Sequence, residues 1–140
     1  MKPSAVGVRV VQLGSPRAPD EGLRIGTVRR PPRGVPKHEF ASRDYYDVWL
    51  PNLAPSAELM TLGRAAVSDA EWKAFERGYR KEMALPDAAR VIDLLAALSH
   101  TSAFAVGCYC DDEHHCHRGI LRQLLKDRDA VFADDLCGPN

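Results

Sequence analysis

The segment Phe104-Ala-Val-Gly-Cys-Tyr109 is apolar at nearly every position and too short for a helix. It is followed, after a polar stretch, by Ile120, Leu121, Leu124 and Leu125 at helical spacing. A short unbroken apolar run fits a strand covered on both faces, and such strands belong to parallel sheets. A second run, Val6 to Leu13, is rich in β-branched residues and stops at Gly14-Ser-Pro16, which predicts a central strand. Leu23–Val28 predicts a third strand and Ala130–Ala133 a short last one. Helical signals fill the space between. Ser68-Asp-Ala-Glu71 is a capping box ahead of Trp72, Phe75, Tyr79 and Met83, which share one stripe. Pro86 ends that helix, and Val91, Leu94, Leu95 and Leu98 form the next stripe. His100, near its end, is expected to be exposed and to favour the negative pole of the helix. Ser56 predicts the start of another, shorter helix, and Cys116 to Lys126 carries the last. The alternation predicts a small α/β domain with a mostly parallel sheet and helices on both faces. No repeat or linker divides the chain, so residues 1–140 are expected to form one domain with its core at about 6–132.

Composition narrows the function classes. The 140 residues carry 19 basic and 19 acidic side chains, a net charge of zero, which disfavours a dedicated nucleic-acid binder. No apolar stretch approaches the length of a membrane span, and the N-terminus has no apolar leader core, so a cytoplasmic location is expected. The zero conceals an asymmetry. Residues 1–64 hold ten basic and six acidic groups, and residues 65–140 hold nine and thirteen. The basic excess gathers at Arg24, Arg29, Arg30, Arg33, Lys37 and Arg43. Within it, Arg29-Arg-Pro-Pro-Arg-Gly-Val-Pro36 cannot form regular structure, because three prolines fix φ and remove donors. A rigid basic loop directly after a strand is a common place for a ligand site in α/β folds.

Three of the four cysteines fall within nine residues, in Gly107-Cys-Tyr-Cys-Asp-Asp-Glu-His-His-Cys-His-Arg118. The fourth, Cys137, is expected as an exposed thiol in the tail. The clustered segment joins a buried strand to an amphipathic helix. Free amides and the positive pole at a helix start favour anions and lower a thiol pKa. Cys116 is therefore a candidate thiolate, His117 a candidate proton donor or acceptor near neutral pH, and Arg118 a candidate anion clamp. The same residues admit a metal reading, in which Cys108, Cys110, Cys116 and a histidine such as His117 hold zinc. Against it, Cys-x-Cys is not the usual zinc-knuckle spacing, and Cys108 also reads as a buried strand residue. His115-Cys116 with Arg122 matches the bare spacing of a phosphatase loop, but Ile120 and Leu121 stand where that loop needs small residues.

Several elements together resemble the bacterial domain-of-unknown-function 488 family. Cys108-Tyr109 followed by Cys116-His117-Arg118 resembles its signature, a strand ending in Cys with Cys-His-Arg opening the next helix. Arg29 with Pro32-Arg33-Gly34, Trp49 with Leu53-Ala-Pro-Ser56, and Trp72, Phe75 and Tyr79 resemble three further elements in the same order. One departure stands out. Cys110 occupies the place of the family's glutamate, so Asp111, Asp112 or Glu113 would have to supply any acid–base carboxylate, and Glu113 is the candidate. The resemblance implies a compact α/β domain with the arginine loop near the Cys-His-Arg helix. It brings no reaction with it.

Three functions remain open on the sequence. The first is a site for a small anionic ligand, such as a nucleotide or phosphometabolite, using Arg29, Arg33 and Arg118, with no cofactor and with Cys116 as a reactive group. The second is a zinc-binding domain. The third is an adaptor whose Tyr45, Tyr46 and Trp49 stack on nucleic acid, disfavoured by the zero charge. No membrane partner is expected, and the sequence gives no oligomeric state.

Overall fold

The computed structural model describes residues 6–136. Strands β1 (Gly7–Gln12), β2 (Leu23–Gly26), β3 (Val48–Trp49) and β4 (Ala103–Cys108) form a parallel sheet in the order β1-β4-β2-β3. The described α-helices are α1 (Ala57–Ala65), α2 (Asp69–Met83), α3 (Pro86–Leu98), α4 (His117–Lys126) and α5 (Ala133–Leu136). One-turn 3-10 helices occupy Lys37–Glu39, Pro51–Leu53 and Glu113–His115. The small α/β domain with a parallel sheet is therefore as the sequence predicts.

The apolar run at β4 lies in the interior of the sheet, and Phe104 to Cys108 are all buried. The expectation that the first strand is central is corrected, since β1 lies at one end of the strand order. Its Val8 is nonetheless fully buried, because the amide of Val8 bonds to Val131 O at 2.9 Å and Val8 forms a parallel bridge with Phe132. A covered edge buries a β-branched residue as well as a second strand does. The strand expected at 130–133 shrinks to that bridge and leads directly into α5. Cys137 lies outside the described residues.

One face of the sheet presents Val8, Ile25, Phe104 and Val106 to a core built with Phe75, Tyr79, Ile92, Leu121 and Leu125 from α2, α3 and α4. The predicted capping box holds α2 in place, with Ser68 Oγ accepting from the Glu71 amide at 3.2 Å and Glu71 accepting from the Ser68 amide at 3.1 Å. Ser56 caps α1 in the same way. Tyr79, fully buried, satisfies its hydroxyl by donating to Leu53 O at 2.7 Å. His100 is exposed, with its Nε2 2.8 Å from Asp129 O.

The opposite face is built differently. Arg24 is fully buried in β2 and points into the segments 13–22 and 36–47, the second of which carries the Lys37–Glu39 turn. Its guanidinium makes a two-pronged bond to Glu21, at 2.8 and 2.9 Å, and donates to Ser15 O at 2.8 Å and Asp44 O at 2.7 Å. Its backbone amide donates to Asp47, which also takes Arg17. Two glycines on this face make room for the cover. A Cβ on Gly26 would run into the Tyr46 ring, and one on Gly107 would meet Val11 O at 2.6 Å.

Two predictions follow from this face. Arg24→Met strands a buried carboxylate and two carbonyls, so unfolding free energy should fall by about 3–5 kcal/mol. Urea denaturation reads this as a lower midpoint, and a shift under about 1 kcal/mol, the worth of an exposed ion pair, would contradict it. Asp47 supplies a pH test. Burial pushes its carboxyl up, but the bonds from Arg17 and the Arg24 amide and the charges of both arginines outweigh burial and hold it below its ordinary 3.8. A lowered folded pKa means that Asp47 stabilises the fold at neutral pH and loses that effect as pH falls through 3.8 towards the folded value. The gap in melting temperature between wild type and Asp47→Asn should therefore hold steady above about pH 5 and narrow progressively as pH falls from there through 3.8.

Candidate functional site

Because the strands are parallel, they all end at one edge of the sheet, where ligand crevices form in open α/β folds. β2 runs out at Gly26 into the proline-arginine loop, and β4 runs out at Cys108 into the cysteine segment. The two ends are tied together. The Thr27 amide and hydroxyl both donate to Gly107 O, at 2.9 and 3.0 Å, and Tyr109 OH donates to Arg30 O at 2.8 Å. The arginine loop and the Cys-His-Arg helix are thus brought to one place.

A cleft at this edge is lined by Arg30, Pro31, Pro32, Arg33, Tyr45, Arg64 and Tyr109. The Tyr45 and Tyr109 rings meet edge to face at 6.3 Å. Arg30, Arg33 and Arg64 are exposed and form no ion pair with any described residue. Of the arginines singled out from sequence, Arg33 lines this cleft. Arg29 lies outside the lining, with Nη1 3.5 Å from Pro55 O. Sequence reasoning missed Arg64, Tyr109 and the part played by Arg30. Arg64 comes from the end of α1, and nothing in its local sequence brings it to this edge.

Arg118 lies in the first turn of α4 and is only 5 % exposed. One bond is recorded for it, Nη2 to Asp111 O at 3.3 Å, while Nε and Nη1 are buried without a hydrogen-bond partner. A buried guanidinium with two idle donors is costly, since buried charge is normally paired. Arg118 is not among the residues that line the cleft, although it and cleft-lining Arg64 both act by charge on Cys110. For the Cys110 thiol, burial outweighs those cations and raises its pKa.

Cys116 is the N-cap of α4, at the helix start anticipated from sequence, and is buried. Its sulfur is in bonding contact with that of Cys108, and the two Cα atoms are 7.9 Å apart. With the sulfur of exposed Cys110, the three lie within 4.8 Å of one another. His117, the proposed fourth zinc ligand, is not part of this close group. Its Nε2 is 2.7 Å from Thr27 O and its Nδ1 is 3.8 Å from Cys116 Sγ. The ring of His117 is buried. Burial lowers its pKa to about 4, with the Arg118 charge adding to this and the bond to Thr27 O opposing it, so the ring is neutral. A neutral ring donates from Nε2 to Thr27 O and keeps the lone pair on Nδ1.

The carboxylates are committed to local structure. Glu113 forms a bidentate bond with Arg122, at 2.5 and 3.0 Å, and lies on a separate hollow that also involves Trp72, His114 and Cys116. Burial pushes the Glu113 carboxyl up, but Arg122 outweighs it and the net shift is downward. Asp112 caps the Glu113–His115 turn by accepting from the His114 amide, and Asp111 accepts from Gln12 at 2.7 Å. The phosphatase-loop spacing has no structural counterpart, because Ile120, Leu121 and Arg122 all lie within α4. Of the expected stacking aromatics, Tyr46 is buried, Trp49 donates to Val28 O at 2.7 Å, and Tyr45 reaches the cleft.

No helix among the described residues is long and apolar enough to cross a membrane. Compared with known proteins, the chain matches the family model DUF488-N3a, described as the active DUF488-N3 subclade, over residues 8–129. No curated protein and no solved structure matches it. The matched region takes in every strand from Val8 on, the arginine loop, the three clustered cysteines and α4, and the chain belongs to the DUF488 family.

Proposed function

We propose that this domain binds a small phosphate-bearing ligand, of nucleotide or phosphometabolite size, at the carboxyl edge of the sheet. The observation that carries the reading is Arg118, a buried guanidinium with two donors unused. An anion seated there would satisfy Nε and Nη1 in the planar, two-pronged geometry that guanidinium offers to phosphate and carboxylate. The positive pole of α4, whose first turn carries Arg118, favours negative charge there as well. Arg30, Arg33 and Arg64 supply uncommitted positive charge at the mouth of the cleft. Tyr45 and Tyr109 give it an aromatic wall, which favours a ligand with a planar ring over bare phosphate. The reading concerns binding. Cys116 as a reactive group is no part of it, because that sulfur is buried against Cys108.

Calorimetric titration with inorganic pyrophosphate and with a panel of mononucleotides, in reducing buffer with chelator, tests this. Saturable binding is expected, tighter for a nucleotide than for pyrophosphate, with log K falling linearly against log salt. Arg33→Ala and Arg64→Ala are exposed changes that leave folding intact, and each should weaken binding roughly tenfold, the equivalent of about 1.4 kcal/mol. Arg118→Met should abolish it. No heat with any of these anions at millimolar concentration, or affinities unchanged by all three substitutions, would refute the proposal.

A further inference from the structure

The three thiols are the chemistry that anion binding leaves unused. Cys108 ends β4, Cys110 follows two residues on, and Cys116 comes back from the N-cap of α4. The chain bends at Tyr109, just past the end of the strand, and the Cys108 and Cys110 sulfurs lie within 4.8 Å of each other. The Glu113–His115 turn then folds the chain back and adds Cys116. Leu13, Val28 and Tyr46 pack around Cys108 and Cys116, while Cys110 is exposed, so the cluster has an apolar floor and an open side.

Two chemistries bring sulfurs this close, a covalent bridge or a shared ion. A relaxed disulfide spans Cα atoms about 4.4–6.8 Å apart. Here the separation is 7.9 Å. Both ends are also anchored. Cys108 O accepts from the Leu13 amide at 2.7 Å, and Cys116 O accepts from the Gly119 amide at 3.1 Å, next to the His117 bond to Thr27 O. A bridge also leaves the third sulfur without a role. An ion with metal–sulfur bonds of about 2.3 Å holds sulfurs roughly 3.8 Å apart, so the Cys108 and Cys116 sulfurs move out of contact to admit it, all three thiols are used and no shorter Cα spacing is needed.

We infer that Cys108, Cys110 and Cys116 form a three-thiolate site for a zinc-class divalent ion, with one tetrahedral position left to water or an exogenous ligand. Three thiolates suit a borderline or soft ion, and three protein ligands with one open position is the pattern of an exchangeable site. On binding, each thiol gives its proton to solvent and the sulfur donates a lone pair to the metal, with no change in oxidation state. The loaded site carries a net charge of −1, and the Arg118 guanidinium, already acting on Cys110, offsets it. His117 stays outside the ligand set and steadies Cys116 through its bond to Thr27 O. The inference is independent of the anion reading, whose titrations are run with chelator present.

The test uses the full chain, made without a histidine tag and handled under reductant. Elemental analysis after zinc addition and dialysis should give close to one zinc per chain, and chelator should lower the melting temperature of the loaded protein. Substitution with cobalt should give a sulfur-to-metal charge-transfer band. Cys110→Ser changes an exposed residue, so it folds, and should reduce that band by about a third, one thiolate of three. Zinc below a tenth of an equivalent, with no shift in melting on adding it, overturns the site. So does a Cys108–Cys116 bridge that persists in reductant, seen as a chain two mass units light, or a cobalt band unchanged in Cys110→Ser.

Discussion

The buried guanidinium of Arg24 is the interaction on which the open face of this fold depends. A parallel sheet needs both faces covered, because its strands carry apolar or uncommitted side chains on each. Here one face receives α2, α3 and α4. The other receives loops, whose apolar contribution is the smaller cluster around Leu13, Val28 and Tyr46. Arg24 solves this by bonding outward from β2 to Glu21 and to the carbonyls of Ser15 and Asp44, which fastens both covering segments to the sheet. Arg17 extends the same network through Asp44 and Asp47. A buried ion pair is a weak source of net stability, but removing one member of it is expensive. The face is therefore held by satisfaction of polar groups together with the apolar cluster of Leu13, Val28, Phe40, Tyr45 and Tyr46.

That arrangement reaches the site. The segment that Arg24 fastens at Asp44 continues directly into Tyr45 and Tyr46. Tyr46 fills the space left by Gly26 and packs beside Cys108 and Cys116, while Tyr45 walls the cleft. A loop free to move would carry neither ring to a fixed position. The cost of ordering these loops is thus part of what shapes the binding edge.

Features encoded by neighbouring residues were legible in the sequence. The capping box at Ser68 and Glu71, the stripe through Phe75, Tyr79 and Met83, the buried run at Phe104 to Cys108 and the start of α4 at Cys116 are all local patterns. Features decided by tertiary assembly were not. The edge position of β1 was hidden because Phe132, far along the chain, buries Val8. Arg24 reads in sequence as one member of a basic cluster, set in a short predicted strand, yet it is the most buried cation described, because Glu21 stands three residues before it on a turn that sequence pattern does not reveal. For the site, Arg118 and Arg33 were legible from position relative to strand and helix ends. Arg64 was not, since the fold alone carries the end of α1 to the arginine loop. The burial of His117 was hidden for a related reason: a histidine ordinarily titrates near neutral pH, but this ring is buried with Nε2 at Thr27 O, and burial lowers its pKa to about 4.

Charge balance connects these pieces. The start of α4 gathers the Arg118 guanidinium and the positive pole of the helix, and His117, being neutral, adds no further charge. Glu113, the carboxylate that could have balanced Arg118, is taken by Arg122. Asp111 offers Arg118 its carbonyl and turns its carboxylate to Gln12. Among the described residues no carboxylate hydrogen-bonds the buried cation, and the Glu113 charge that it feels is shared with Arg122. A fold that spends stability on an unpaired buried guanidinium recovers it when negative charge arrives, and anything that binds the native state alone stabilises it in proportion to its affinity. The negative charge can be a phosphate at the cleft or a thiolate set formed by metal binding. If both proposals hold, the two occupants draw on the same Arg118 charge, and the affinity of each then depends reciprocally on the other.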